Sequence, residues 1–271
     1  MKIIVTDLDG TLLDKDTYSL SNASLLLQEL RTRRIPVIFC TSKTRAEVEF
    51  YREKLGNKHP FIVENGGALY VPSGYFPFPM RPTRFDNGYA IFELGACYRQ
   101  LVKTLMVSAQ QSECLVTGFH SMSAKEISSL CDLPIRLAEL AKSREYDEPF
   151  LIHDNSKSGA LLKRIECLGR HWTRGGRLYH IHGGHNKGMA VKILRHLYRE
   201  TYSLVTIIAL GDSWNDRSLL EVADFPMLVR SGPDSELLAA ALNVPLAANP
   251  GSSAWNQAII ELLGLSQCET R

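Results

Sequence analysis

The sequence lacks any apolar run of membrane-spanning length. The longest, Leu204 to Leu210, is interrupted by Thr206, whereas a spanning helix needs about 20 apolar residues. It also lacks a cysteine framework. Cys40, Cys97, Cys114, Cys131, Cys167 and Cys268 are scattered, with no C-x-x-C pair and no histidine at zinc spacing, which reads as reduced thiols in a cytoplasmic protein. Net charge is nearly absent: 31 Lys and Arg face 29 Asp and Glu, a formal +2. Neither nucleic acid nor an anionic membrane surface is therefore an expected partner, and any basic residue that matters acts locally. An apolar strand starts almost at Met1, leaving no room for the charged region and apolar core of a signal peptide, so a cytoplasmic location is expected. There is no internal repeat and no low-complexity stretch. The remainder is ordinary soluble composition over 271 residues, enough for one large domain or for a core carrying an inserted smaller one. Nothing in it bears on oligomeric state.

What is present begins with Ile3-Ile4-Val5, a β-branched run closed by Asp7-Leu8-Asp9-Gly10-Thr11. Such a run predicts a short buried strand, and its end presents two carboxylates one residue apart. From Ser21 to Arg34, apolar residues recur at helical spacing, with Ser19 or Ser21 as cap. Val37 to Cys40 predicts a second strand ending in Thr41-Ser42-Lys43-Thr44, then a helix over 45–55 stopped by Gly56. Phe61-Ile62-Val63 predicts a third strand, ending in Glu64-Asn65-Gly66-Gly67. This alternation predicts an α/β fold, a Rossmann-like doubly wound parallel sheet with right-handed crossovers. In such sheets ligands bind outside the carboxyl ends of the strands, where all three polar clusters fall.

The middle of the chain has another texture. A Pro- and aromatic-rich connector over 70–85 precedes a strand at Tyr89–Phe92, helices over 98–109, 124–142 and 158–168, and strand-like runs at 148–152 and 178–181. Residues 84–184 are expected to form an inserted α+β cap, with 1–83 and 185–271 as the core. The first texture resumes with Asn186-Lys187-Gly188 opening a helix. A strand over 205–210 ends in Gly211-Asp212-Ser213-Trp214-Asn215-Asp216, a last strand covers 226–229, and a final helix carries Trp255 and Ile259.

Taken singly, each polar cluster has a plain structural explanation: Asp212 and Asp216 capping the helix over 218–222, Lys187 as a solvated lysine, Thr41 ending a strand. Together, three carboxylates, two hydroxyls and one ammonium at one crevice suit Mg²⁺ facing a phosphoryl group. Asp7 and Asp212 can supply metal oxygens, and Asp7 can attack phosphorus to form an aspartyl-phosphate. Asp9 can protonate the leaving alkoxide and then activate water. Thr41 and Lys187, with main-chain N–H groups near Leu8 and Ser42, can hold the equatorial oxygens. Asp216 orients Lys187 or a metal-bound water, and Asn215 stands beside it. In the insertion, Arg174 and Arg177 flank two glycines that admit a ligand to the backbone, and a guanidinium suits a carboxylate. Glu148 can accept from sugar hydroxyls. The alternative is that Arg144, Arg174 and Arg177 pair with nearby acids on the cap surface. His180, His182 and His185 lack a fourth ligand and read as hinge or surface residues.

D-L-D-G-T-L-L, the strand ending in Thr41-Ser42, Lys187-Gly188 and G-D-S-W-N-D resemble, in this order, the four motifs of the haloacid dehalogenase superfamily of aspartate-nucleophile phosphatases. The Asn65-Gly66-Gly67 turn and the insertion between the second and third motifs resemble the subfamily with an α/β cap. The resemblance implies Asp7 as nucleophile, Asp9 as general acid/base touching Mg²⁺ through its main-chain carbonyl, Thr41 and Lys187 as phosphate binders and Asp212 as metal ligand. Ser42-Lys43-Thr44, the run from Arg144 to Phe150 and that from Thr173 to Ile181 are similar to the mannosyl-3-phosphoglycerate phosphatase family. That implies a phosphorylated sugar-glycerate as substrate and mannosylglycerate, a compatible solute, as product, with Ser42, Lys43, Asn65, Arg144, Glu148, Arg174 and Arg177 contacting substrate. Alternatives are glucosyl-3-phosphoglycerate, sucrose phosphate, a phosphosugar mutase, or a non-catalytic sensor of phosphorylated ligands.

Overall fold

A computed structural model describes residues 1–14, 23–175, 178–232 and 234–265. The first strand, β1 (Lys2–Thr6), is buried beyond Lys2. Its side chains divide between two cores, Ile4 toward one face and Ile3 with Val5 toward the other. A strand covered on both faces needs an unbroken apolar run, which is why Ile3-Ile4-Val5 shows no polar alternation.

The strands that follow are β2 (Val37–Cys40), β3 (Phe61–Val63), β4 (Ala68–Pro72), β5 (Arg84–Asp86) and β6 (Tyr89–Glu93). Later come β7 (Val116–Gly118), β8 (Asp147–Ile152), β9 (His171–Gly175), β10 (Leu178–His182), β11 (Thr206–Gly211), β12 (Phe225–Arg230) and β13 (Leu246–Pro250). Nine of them form one sheet in the order β13-β12-β11-β1-β2-β3-β4-β6-β5. β1 lies parallel between β11 and β2, with Lys2 opposite Thr206 and Ile4 opposite Val37. The parallel run extends from β13 to β3, and β4, β6 and β5 continue it antiparallel. This is the expected doubly wound α/β core. One face is covered by α1 (Ser24–Thr32), α2 (Arg45–Leu55) and α10 (Gly251–Leu263), through Leu26, Val48 and Trp255. The other is covered by α7 (Lys187–Arg199), α8 (Arg217–Glu221) and α9 (Ser235–Leu242), through Leu194, Leu219 and Leu238. Each such side chain contributes about 1.5–3 kcal/mol on leaving water.

The remaining strands form an antiparallel sheet in the order β7-β8-β10-β9. It packs on α3 (Tyr98–Gln111) and α6 (Ser158–Cys167) through Leu101, Leu105, Phe150, Leu161 and Ile181. The insertion is therefore an α+β unit with its own core. The expected division at 84 runs through the large sheet, however. β6 pairs with β4 from Ala68↔Glu93 to Pro72↔Tyr89, and Ala90 and Ile91 continue the two cores of that sheet.

Other expectations are corrected. The helix expected over 124–142 is two, α4 (Ala124–Cys131) and α5 (Ile135–Ala141). Asp132 turns left-handed between them and Pro134 cannot continue the first. Strand 226–229 is not the last, since β13 pairs beyond it. The proposed caps Ser19 and Ser21 lie outside the described residues. Gly56 does end α2 in the left-handed conformation, at φ 58°. The cysteines among the described residues are free thiols, and none of the described helices is long and apolar enough to cross a membrane.

Candidate active site

Asp7 is the first residue past β1, its N–H held by the Leu210 carbonyl at 2.9 Å. The Trp255 indole donates to Thr6 Oγ1 at 3.1 Å, and that hydroxyl donates to the Asp7 carbonyl at 2.8 Å. The chain then turns at Gly10, whose φ of +73° favours glycine; a Cβ there would stand 2.5 Å from Asp212 Oδ2. Glycine at this position lets the turn after β1 approach the residue that follows β11. The loops after the two neighbouring strands thereby meet.

Between those loops stands Lys187, fully buried at the start of α7. Its Nζ donates to Asp7 Oδ1 and to Asp216 Oδ1, both at 2.6 Å. The two acids raise the pKa of this ammonium in spite of its burial. Asp216 Oδ2 accepts the N–H groups of Asp212 and Ser213 at 2.9 and 3.2 Å, closing the loop on itself. Asn186 caps α7, accepting the Met189 N–H at 2.9 Å. Asp7, Asp212 and Asp216 each bring a carboxylate oxygen within 4.8 Å of the others. Burial, with the neighbouring acids, pushes the Asp7 and Asp212 carboxyls up, Lys187 opposing both. Desolvated carboxylates repelling one another with only oxygen donors are a set that a hard divalent cation such as Mg²⁺ relieves, so the triad could hold one.

Asp9 points elsewhere. Its Oδ2 pairs with Lys43 at 2.9 Å, while its buried Oδ1 has no hydrogen-bond partner among the described residues. Lys43 also lies 3.6 Å from Glu47, whose carboxylate closes a capping box with Thr44 at the start of α2. Thr41 is fully buried at the end of β2, its hydroxyl accepting the Lys43 N–H at 3.3 Å.

A cleft of about 420 Å³ opens beside Asp212, between the large sheet's strand ends and the insertion. It is lined by five of the residues singled out in the sequence: Ser42, Asn65, Asp212, Asn215 and Arg174. Asn65 and Asn215 are tied by a 3.0 Å amide hydrogen bond, and Arg174 stacks over Tyr179 at 5.3 Å. The cleft does not bring in the rest. The Arg144 side chain is only 7% exposed and donates to the Ser42 carbonyl at 2.8 Å. Glu148 is fully buried, its oxygens accepting from Tyr98 at 2.7 Å and from His120 at 3.0 and 2.7 Å. Arg177 lies outside the described residues.

The cleft has lining residues that sequence reasoning passed over. Ser231 and Asp234 follow β12, so the strand-end rule could have found them. His180, read from sequence as a hinge or surface residue, also lines it, its Nδ1 2.9 Å from Asp147 Oδ1. Burial would raise Asp147, but His180, Arg144 and His182 hold it well below the usual carboxylate range. His182 and His185 are buried, not on the surface. Burial lowers both, bringing His182 down to about 4, so that its imidazole is neutral at pH 7.

Glu64 joins the sheet to the insertion. Its buried carboxyl accepts the N–H groups of Glu145 and Tyr146 at 2.9 and 2.8 Å. Burial pushes it from an ordinary 4.5 up to about 8, against the pull of Arg144. Between those values the unfolded chain has lost this proton and the folded chain keeps it, so the group makes stability fall as pH rises from about 4.5 to 8. Glu64→Gln is expected to flatten the dependence of Tm on pH across that window. Thermal unfolding at pH 5, 6.5 and 8 checks this; parallel curves for the two proteins would show that Glu64 does not titrate there.

The sequence profile of the haloacid dehalogenase-like hydrolases matches residues 4–76. The chain is 41% identical over 265 residues, covering 97% of both chains, to a glucosyl-3-phosphoglycerate/mannosyl-3-phosphoglycerate phosphatase of Methanococcoides burtonii. It is 38% identical to a mannosyl-3-phosphoglycerate phosphatase of Pyrococcus furiosus, over 84% of this chain and 91% of that one. Among solved structures, a haloacid dehalogenase-like hydrolase from B. subtilis shares the fold with TM-score 0.66 at 17% identity, over 97% of this chain and 99% of that one.

Proposed function

The chain belongs to the haloacid dehalogenase-like hydrolases, and from that premise we propose that it hydrolyses the phosphate monoester of a hexosyl-3-phosphoglycerate, mannosyl-3-phosphoglycerate foremost, to hexosylglycerate and inorganic phosphate. The observation that carries this reading is the Asp7 carboxylate, fixed by buried Lys187 and within 4.8 Å of that of Asp212, which together with Arg174 lines the adjoining cleft. A phosphate at Asp7 and a carboxylate at Arg174 are the two anionic ends of a phosphoglycerate.

In the first step an Asp7 oxygen attacks phosphorus, the bond from phosphorus to the glycerate oxygen breaks, and Asp9 delivers a proton to the departing alkoxide. In the second, Asp9 takes a proton from water as that water attacks the aspartyl-phosphate, releasing phosphate and restoring Asp7. Lys43 holds the Asp9 carboxylate in place between these transfers. Thr41 and Lys187 stabilise the equatorial oxygens as charge shifts on them. Asp7 and Asp212, with the Asp9 main-chain carbonyl, would hold Mg²⁺, which supplies neutralising charge for the phosphoryl oxygens. Asp216 acts by fixing Lys187 and the loop bearing Asp212. Through its bond to the Ser42 carbonyl, Arg144 sets the phosphate loop from the side of the insertion.

A panel of phosphate monoesters tests the substrate. The kcat/KM for mannosyl- and glucosyl-3-phosphoglycerate should exceed that for sucrose phosphate or simple hexose phosphates by about 10–100-fold, the worth of one charge-assisted carboxylate contact. Arg174→Ala should erase most of that advantage. No advantage for the glycerate-bearing esters would refute the assignment, and transfer to a second sugar instead of one phosphate released per substrate would make the protein a mutase.

A further inference from the structure

Trp214 stands out among the residues around the cleft. It is 49% exposed, two residues after Asp212, on the turn Trp214–Asp216 against which β9 lies. What sets it apart from other exposed aromatics such as Phe85 and Phe225 is its place at the edge of the cleft, where an indole offers a ligand a large apolar body with one N–H donor. It borders the 420 Å³ cleft and also a second one of about 210 Å³, which shares Asn65, Thr173 and Asn215 with the first. The indole thus stands where two adjoining spaces meet. The cleft it borders is also lined by hydrogen-bonding side chains, among them Ser42, Asn65, Ser213, Asn215 and Ser231, with Thr173 from the insertion.

A flat apolar surface ringed by hydrogen-bonding groups fits one chemistry in particular. A pyranose presents C–H groups on its faces and hydroxyls around its rim, so an indole takes the face while amides and hydroxyls take the rim. We propose that Trp214 is a specificity-determining residue whose half-exposed indole carries the pyranose ring of the substrate. The inference rests on the reading of the substrate as a hexosyl-3-phosphoglycerate. It also adds something to that reading. Glucose and mannose differ only in the orientation of one hydroxyl at C2, which a flat apolar platform hardly senses, so the same contact serves both sugars.

The test compares substrates with and without the sugar. In Trp214→Leu, kcat/KM for glucosyl- and mannosyl-3-phosphoglycerate should both fall about tenfold, mainly through KM. The value for 3-phosphoglycerate, which carries phosphate and carboxylate without the ring, should stay within about twofold. Trp214→Tyr should recover most of the loss. An equal loss on 3-phosphoglycerate would show that Trp214 only seats the insertion on the core, and overturn the proposal. A sugar preference that persists in Trp214→Leu overturns it alone, whereas a wild-type enzyme with no sugar preference overturns the substrate reading too. Fluorescence supplies an equilibrium readout. Trp172→Phe leaves Trp214 and fully buried Trp255 as emitters, and mannosylglycerate should then shift and quench the emission. Unchanged emission at concentrations that inhibit phosphate release would refute the contact.

Discussion

Asp7→Asn is expected to lower kcat by roughly 10⁴-fold or more, because a carboxamide cannot form the acyl-phosphate on which both steps depend. The loss should appear in kcat at saturating substrate, since phosphate and cap contacts remain. Folding should survive. Asp7 is buried beside Asp212 and Asp216, which push its carboxyl up while Lys187 opposes them, so removing its charge relieves repulsion as well as losing an ion pair. Lys187 keeps Asp216 as a partner at 2.6 Å. A Tm within a few degrees of wild type, with turnover gone, is the expected pair of results. Phosphate release above a hundredth of the wild-type rate would remove Asp7 from the nucleophile's role. The same measurement disposes of a non-catalytic sensor, because a protein without turnover has none to lose.

Lys187→Met should damage stability and activity together. Its Nζ is the shared partner of two carboxylates in a site where the lysine and Asp216 side chains are fully buried and that of Asp7 is 7% exposed. Removing one member of such a buried group costs about 3–5 kcal/mol, because the remaining charges are left desolvated. In a protein of this size that corresponds to a fall in Tm of about 10 °C. The deficit should be larger at pH 8 than at pH 5, since only protonation can neutralise the carboxylates the ammonium leaves behind. Activity should fall by about 10³-fold through loss of a preorganised cation at the phosphoryl oxygens. A stability deficit that is the same at both pH values would mean the carboxylates are not what the lysine compensates. Unchanged stability would place Lys187 in a less constrained setting than its two 2.6 Å bonds indicate.

Lys187, which opens α7, was read from sequence as one polar cluster among four, whereas Asp7 was legible for a physical reason. A parallel strand buried on both faces must be a short apolar run, so β1, β2 and β11 announce themselves, and polar residues just beyond them fall at one edge of the sheet. Leu246–Pro250 is a strand too, but Leu-Ala-Ala-Asn-Pro has little strand propensity and is ordered by its neighbour β12. The division between the sheet and the insertion was misplaced for a related reason. Arg84–Asp86 and Tyr89–Glu93 look like any hairpin, and only pairing with Ala68–Pro72 assigns them to the large sheet. Side-chain partners across long separations were illegible altogether. Glu148 looks free in sequence, yet Tyr98, fifty residues earlier, and His120 occupy its oxygens. Trp214 was in plain view inside G-D-S-W-N-D, but its neighbours drew attention for their charge.

The place of β1 in the sheet also bears on how the protein is made. Residues 2–6 are flanked on one side by β2, synthesised soon afterwards, and on the other by residues 206–210. The Asp7 backbone is held by the Leu210 carbonyl and by the Thr6 hydroxyl, which Trp255 in turn fixes. At translation speeds of about 5–20 residues per second, the strand leading to Asp7 therefore spends on the order of ten seconds or more with one edge unpaired while the insertion emerges between the two parts of the large sheet. The insertion closes its own sheet from residues 116 to 182, so it can be structured on the ribosome before the older part of the protein is.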